Sequence, residues 1–254
     1  MKTVLYQQYT FLVFPDTLLD NLIPRFCGLF DEPGVVGTVA GIILFAERCN
    51  LKKLKNIILF IAGIFSFSLF FFILVFVSLL IFHKKKVVFI FLSLFTLFFV
   101  LTKEDPVLDK YIWERMEMED GKLKGDDRSE KGLDEYFERF IHSDNFLWGT
   151  GKISYAASAS YKQFVIRYGL IFSISVLIFF VVLTAQINKN IKGIFVSLLL
   201  FLFLMYQRPF IFDPAYLYLM ICAFNIIKRS LNERHAIAKT RKRKIYTFGY
   251  LRLT

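Results

Sequence analysis

Apolar positions along this chain run in unbroken blocks instead of alternating with polar ones, a pattern of helices buried on all sides. Ile57–Phe82 and Val87–Leu101 hold no charged residue, and Phe164–Ala185 holds one, Arg167. Two more apolar runs follow, Ile191–Tyr206 and Ala215–Ile227. A bilayer core needs roughly 20 apolar residues per helix, so the blocks predict an all-α, polytopic membrane helix bundle. Pro33 is placed to open a further short helix through Gly34-Val-Val-Gly-Thr-Val-Ala-Gly-Ile-Ile-Leu-Phe-Ala, since proline suits a first helical turn. Its glycines, Gly34, Gly37 and Gly41, read as a close packing face.

The polar segments between the blocks set the expected topology. Arg48, Lys52, Lys53 and Lys55 form one basic cluster and Lys84–Lys86 a second; both read as cytoplasmic by the positive-inside tendency. A single helix over the 26 residues Ile57–Phe82 would put them on opposite sides. Two thin spans of about 13 residues, meeting near Ser66-Phe-Ser68, keep both inside, and this hairpin is preferred. Val87–Leu101 then leads out to one long polar stretch, Thr102–Gln163, and Phe164–Ala185 returns to a basic turn at 186–192. The next run leads out to Gln207–Pro214, an external break interrupted by two prolines. Ala215–Ile227 returns to a tail, Lys228–Thr254, with nine Lys/Arg against one Glu, which reads as cytoplasmic and in contact with anionic headgroups. The expected organisation is therefore 1–101, membrane helices with an external lead-in; 102–163, a large external loop; 164–227, membrane helices; and 228–254, a basic cytoplasmic tail.

Composition strengthens this picture. The 254 residues are 56% hydrophobic, with 32 Phe, and the mean hydropathy is +0.52. The loop 102–163 carries ten Lys/Arg against fourteen Asp/Glu, a net of −4; with +11 for the whole chain, everything outside it sums to +15. The start, MKTVLYQQYTFLVFPD, has no cleavage-site pattern of a secretory signal. Cys27, Cys49 and Cys222, like His83, His142 and His235, are scattered without ligand spacing, which supports neither a disulfide frame nor a metal site.

In this topology four arginines collect at the external mouth: Arg25, Arg128, Arg167 and Arg208. Guanidinium forks without metal ligands suit a phosphate or pyrophosphate. Arg167 lies inside an apolar span, where an ionisable group is a functional candidate or a snorkelling anchor. Arg25 and Arg208 read equally as headgroup anchors, and Arg128, among Asp126, Asp127 and Glu130, as a solvated salt-bridge partner. Trp148-Gly-Thr-Gly-Lys152 is a glycine turn. It is either simply tight or a cradle whose amides, at Gly149 and Gly151, face an anion. Its spacing is not that of a nucleotide-binding Walker loop.

The order of these features resembles a family. Arg25-x-x-Gly28-x-Phe30-x-Glu32-Pro33-Gly34 opening a span is similar to a motif of the Wzy-type O-antigen polymerases and the related O-antigen ligases. Asn145-Phe-Leu-Trp-Gly149-Thr-Gly151-Lys, then Ser158-x-Ser160-Tyr161-Lys162 and Tyr168-Gly169, resembles the end of that family's large external loop and its next span, and Arg208-Pro is also similar. The match runs from about Arg25 to Ile227.

The resemblance implies a glycosyltransferase of the bacterial inner (cytoplasmic) membrane, with its loop periplasmic and its C-terminus cytoplasmic. It would polymerise undecaprenyl-pyrophosphate-linked oligosaccharide repeats into surface polysaccharide such as lipopolysaccharide or capsule. No cofactor and no metal are implied; loop arginines bind the pyrophosphate and stabilise its leaving charge in place of Mg²⁺. Arg25, Glu32, Arg128 and His142 are the catalytic candidates; Arg25, Arg128, Arg167, Arg208, Gly149 and Gly151 are the pyrophosphate-binding candidates. Membrane lipids and a chain-length regulator are the expected partners, and nucleic acid is not one. Ligases carry a histidine after the glycine turn, where Ile153–Arg167 has none; His142 precedes the turn and is the base candidate. The chain offers about five to seven spans, fewer than the family's usual number, so by this reading its N-terminal helices are missing. Transfer to a lipid acceptor is the alternative enzyme reading. A transporter or a non-catalytic membrane partner is the alternative of another class, and the former lacks a polar midplane path.

Overall fold

The computed structural model of the chain describes residues 26, 30, 33–102, 118–119, 122–123, 132–151, 161–207 and 212–250, and main chain alone at 95, 98–99, 101–102, 118–119, 122–123 and 233–250. The architecture is all-α, with a ladder of two residues per strand, Met118–Glu119 against Lys122–Leu123, as the exception among the described residues. The chain divides into two units: residues 1–136 with 155–159, and residues 137–154 with 160–254.

The first unit is built around α1 (Pro33–Ala46), which starts at the expected proline. It packs against both α2 (Leu54–Phe65) and α3 (Leu69–Phe82). Ala40, Leu44, Phe71 and Val75 form its core. Close approach depends on the glycine face: a Cβ on Gly37 would meet the Ser68 side chain, and one on Gly41 would lie 3.0 Å from Leu74 Cδ1. The 26-residue apolar block is broken at Ser66–Ser68, as the charge pattern expected. Phe67 takes φ 48° there, its amide donates to the Ile64 carbonyl at 3.0 Å, and the Ser66 hydroxyl donates to the Gly63 carbonyl at 2.7 Å. Phe26, the residue after Arg25, donates its amide to the Phe65 carbonyl at 3.0 Å.

Helix α1 ends by a left-handed cap without glycine. Arg48 and Cys49 have φ 59° and 47°, and their amides reach back to Phe45 and Leu44 at 3.0 and 2.7 Å, the paired bonds of a Schellman ending. The turn that follows is held by four contacts. Glu47 takes salt bridges from Lys53 and Lys55, the His83 ring bonds the Arg48 carbonyl at 2.7 Å, and the Arg48 guanidinium lies 5.4 Å from the Phe82 ring centre. Glu47 thus partly neutralises the basic cluster of Arg48, Lys52, Lys53 and Lys55. Helix α4 (Lys85–Thr102) follows, with most of its described side chains exposed.

Helix α5 (Leu133–Ile141) lies within the stretch expected as an external loop, and the division between units falls inside it. Leu133 and Phe140, seven residues apart, are buried, while the intervening acids are on its polar side.

The second unit consists of the end of α5, a 3₁₀ turn (Asp144–Phe146), α6 (Tyr161–Ile187), α7 (Ile191–Gln207) and α8 (Pro214–Tyr250). Helix α7 buries Gly193, Val196, Ser197, Leu200, Phe201 and Leu204, one stripe at helical spacing. Phe201 stacks on Phe180 of α6 with ring centres 4.1 Å apart. At the α6–α7 turn the Asn188 amide donates to the Ser197 hydroxyl at 3.2 Å, and Gly193 leaves the room that Asn188 fills. Helix α8 packs on both and runs through the expected tail, because no proline or glycine interrupts residues 228–248.

Among the described residues, one helix, α6, is long and apolar enough to cross a membrane, judged by length and composition. Helices α1, α2, α3 and α7 are apolar but shorter, at 10–17 residues.

Candidate functional site

Two sequence-predicted features meet in the second unit, the glycine turn and the first turns of α6. Helix α6 is kinked at Gly169, whose φ of 79° and ψ of 169° are not helical. An unbroken helix would pair the Arg167 carbonyl with the Ile171 amide. Here the Arg167 carbonyl accepts from the Gly151 amide at 3.0 Å, and the Ile171 amide donates to the Leu147 carbonyl at 3.2 Å. The Ile166 carbonyl accepts from the Thr150 amide at 2.8 Å. The turn 147–151 therefore replaces hydrogen bonds that the kink removes, and neither piece is satisfied alone.

The two glycines at this crossing face each other. A Cβ on Gly149 (φ 81°) would lie 2.5 Å from the Arg167 carbonyl oxygen and 2.5 Å from the Gly169 nitrogen, and a Cβ on Gly169 would collide with the Leu147 carbonyl. Gly151 (φ 67°) has open space around it. The first pair is needed for close approach; the third is needed for its backbone conformation.

This geometry decides one sequence expectation. The Gly149 amide donates to the Asn145 carbonyl at 2.7 Å, and the Thr150 and Gly151 amides are held by α6. Of the two readings of this turn, simply tight or a cradle of amides, the geometry fits the tight turn, because all three amides are engaged with main-chain carbonyls. Gly149 and Gly151 shape the turn and seat it on the helix; they do not present donors to a pyrophosphate.

Arg167 is half-buried at the same crossing, its guanidinium 5.0 Å from the centre of the Tyr168 ring. It lies on the N-terminal side of the kink, so it does not interrupt the apolar run that continues from Leu170. Tyr168 belongs to an aromatic cluster the sequence reading missed: Phe164, Phe172 and Phe212 lie 4.9, 5.3 and 5.4 Å from it, ring centre to ring centre. The signal was the spacing of Phe164, Tyr168 and Phe172, one face of a helix. Beside it, Tyr161 stacks on Tyr206 at 5.8 Å, and Lys162 lies 5.8 Å from the Phe137 ring centre. Two cations and a wall of rings thus gather at one end of the α6–α7 pair.

His142 is exposed in the turn after α5. Arg25, Glu32, Arg128 and Arg208 lie outside the described residues. Among the described residues no group of three His, Cys, Asp or Glu side chains could hold a metal ion. Cys49 is poorly suited to nucleophilic chemistry, because burial pushes its thiol up to about 11. No family model, curated protein or solved structure matches the chain.

Proposed function

We propose that the chain is a membrane glycosyltransferase of the O-antigen polymerase kind, acting on polyprenyl-pyrophosphate-linked oligosaccharide. The observation that carries this reading is the seating of the turn 147–151 on the α6 kink. Of the two motif pieces that carry the resemblance at the loop's end, Asn145–Gly151 is hydrogen-bonded to the residues flanking the other, at Ile166, Arg167 and Ile171, and its Gly149 lies against Tyr168-Gly169 itself. They bring Arg167 with them. In the proposed arrangement the chain crosses the inner membrane several times, with the 102–163 loop periplasmic and the C-terminus cytoplasmic.

In the proposed reaction an acceptor sugar hydroxyl attacks the anomeric carbon of the donor glycan. The bond from that carbon to the carrier pyrophosphate oxygen breaks, the hydroxyl proton passes to a base such as Glu32 or His142, and the carrier pyrophosphate leaves. Arg25, Arg128, Arg167 and Arg208 supply fixed positive charge to that leaving group, for which forked, charge-assisted hydrogen bonds are suited. Gly149 and Gly151 position the site and do not enter the chemistry.

Complementation of a deletion strain tests the reading. Arg25→Ala and Arg128→Ala should each abolish long polysaccharide while single-repeat products remain. Normal chain lengths in both variants would sink the assignment. Complete glycan accumulating on the carrier lipid in the deletion strain would favour the ligase instead.

A further inference from the structure

The glycine turn leaves one side chain exposed that the transfer reaction does not use. Trp148 is 75% exposed and its neighbour Leu147 is 47% exposed, although the backbone beneath them is held to α6 at Ile166, Arg167 and Ile171. An indole kept in the open by a rigid turn has little conformational freedom to hide its apolar surface, so what lies against it matters.

The level of that turn along α6 indicates the occupant. From Gly169 to Ile187 the helix has no charged residue, and at 1.5 Å per residue this segment is about 28 Å long, close to the roughly 30 Å of a bilayer core. Its apolar side chains are exposed along that length, among them Ile171, Ile174, Ile178, Phe179 and Val182. On the other side of the kink stand Arg167 and Lys162. The kink therefore falls where an apolar, lipid-length surface meets a cationic, aromatic one, as at a membrane–water boundary. The turn is pinned at that height by the Leu147 carbonyl, which accepts from the Ile171 amide, and Leu147, Trp148 and Ile171 are all exposed there.

We infer that the Leu147–Trp148 tip is seated in the phospholipid headgroup layer, and that the Gly149–Gly169 crossing holds it at that depth. Tryptophan suits the position because its ring is apolar and its indole N–H still reaches a polar partner. The inference rests on α6 crossing the bilayer and not on the transfer reaction, so either can fail without the other. Glycan stacking on the indole is the competing use.

The chain has two tryptophans, Trp113 and Trp148. The full-length Trp113→Phe protein, reconstituted in phosphatidylcholine–phosphatidylglycerol vesicles, makes Trp148 the sole indole emitter. Its emission should lose most of its intensity to lipids brominated near the carbonyl end of the acyl chain. It should lose less to lipids brominated near the methyl end, and little to aqueous iodide. If Trp113→Phe does not fold, the difference in quenching between the unaltered protein and Trp148→Phe reports the same quantity. Strong iodide quenching without bromine quenching would overturn the inference, as would emission that responds to added oligosaccharide but not to brominated lipid.

Discussion

Gly149 and Gly169 sit back to back, each with a positive φ and each leaving open the space that the other's backbone occupies. A methyl at Gly149 carries two costs. The positive φ is worth roughly 1–2 kcal/mol for a residue with a Cβ, and crowding against rigid backbone adds about 1–3 kcal/mol. At Gly151 the conformational cost stands alone, because nothing lies within 4 Å of the added Cβ. Gly149→Ala should therefore lower the thermal midpoint in detergent clearly more than Gly151→Ala. It should also open the chain to proteolysis between α5 and α6. Equal midpoints would mean that the crossing does not hold the two pieces together.

Glu47 gives a residue-level prediction in pH. Burial acts to raise its pKa, but hydrogen bonds and charge from Lys53 and Lys55 outweigh it, and the net result lies below the usual 4.5. A carboxyl lowered in the folded state contributes stability above its unfolded pKa and loses it as pH falls through the folded value. Both lysines are largely exposed, so the contribution is about 1 kcal/mol or less. Glu47→Gln should lower the thermal midpoint slightly at neutral pH and leave it unchanged well below pH 4.5. A deficit that persists in acid would assign the effect to packing.

At the scale of elements, the first unit depends on how closely α1 approaches the break between α2 and α3. Gly37→Ala pushes a methyl into Ser68 next to the helix break and should cost about 1–3 kcal/mol. Gly41→Ala crowds the end of Leu74, a flexible side chain, and otherwise makes ordinary contact at 3.5 Å with Leu74 Cβ and Phe71 Cα; the helix-propensity gain of about 1 kcal/mol offsets that crowding. Thermal unfolding of the two variants should separate them; a Gly37→Ala protein as stable as Gly41→Ala would show that the packing face is not required.

These elements also show what a sequence can carry. The helix at Pro33, the break at Ser66–Ser68 and the helix over Ile191–Gln207 follow from apolar runs, proline and charge spacing, which act locally. The kink at Gly169 does not, because it exists only by virtue of partners about twenty residues upstream along the chain. The choice between a tight turn and an amide cradle stayed open for the same reason: residue types announce a turn but not which carbonyls its amides will meet. Helix α5 was hidden by the polarity of the stretch around it, although Leu133, Phe137 and Phe140 carry helical spacing. Asp120-Gly121, between the two short strands, is a hairpin signal that went unused.

For the whole molecule, α6 is the element on which the proposed function turns. It is the described helix long and apolar enough to cross a membrane, it carries Arg167 beside its kink, and it binds the turn that closes the polar stretch. Chemistry proved harder to read than fold, because four arginines far apart in sequence are a site only if the fold gathers them, and Arg167 is the one that the described residues include. Reconstituted protein supplied with lipid-linked repeat unit offers the most direct test. The unaltered chain should convert the repeat into long polymer with release of carrier pyrophosphate. Arg167→Ala should lose about tenfold or more of that rate, the scale of one charge-assisted hydrogen bond, and Arg167→Lys should retain part of it. No polymer from the unaltered chain, or an undiminished rate from Arg167→Ala, would contradict the account.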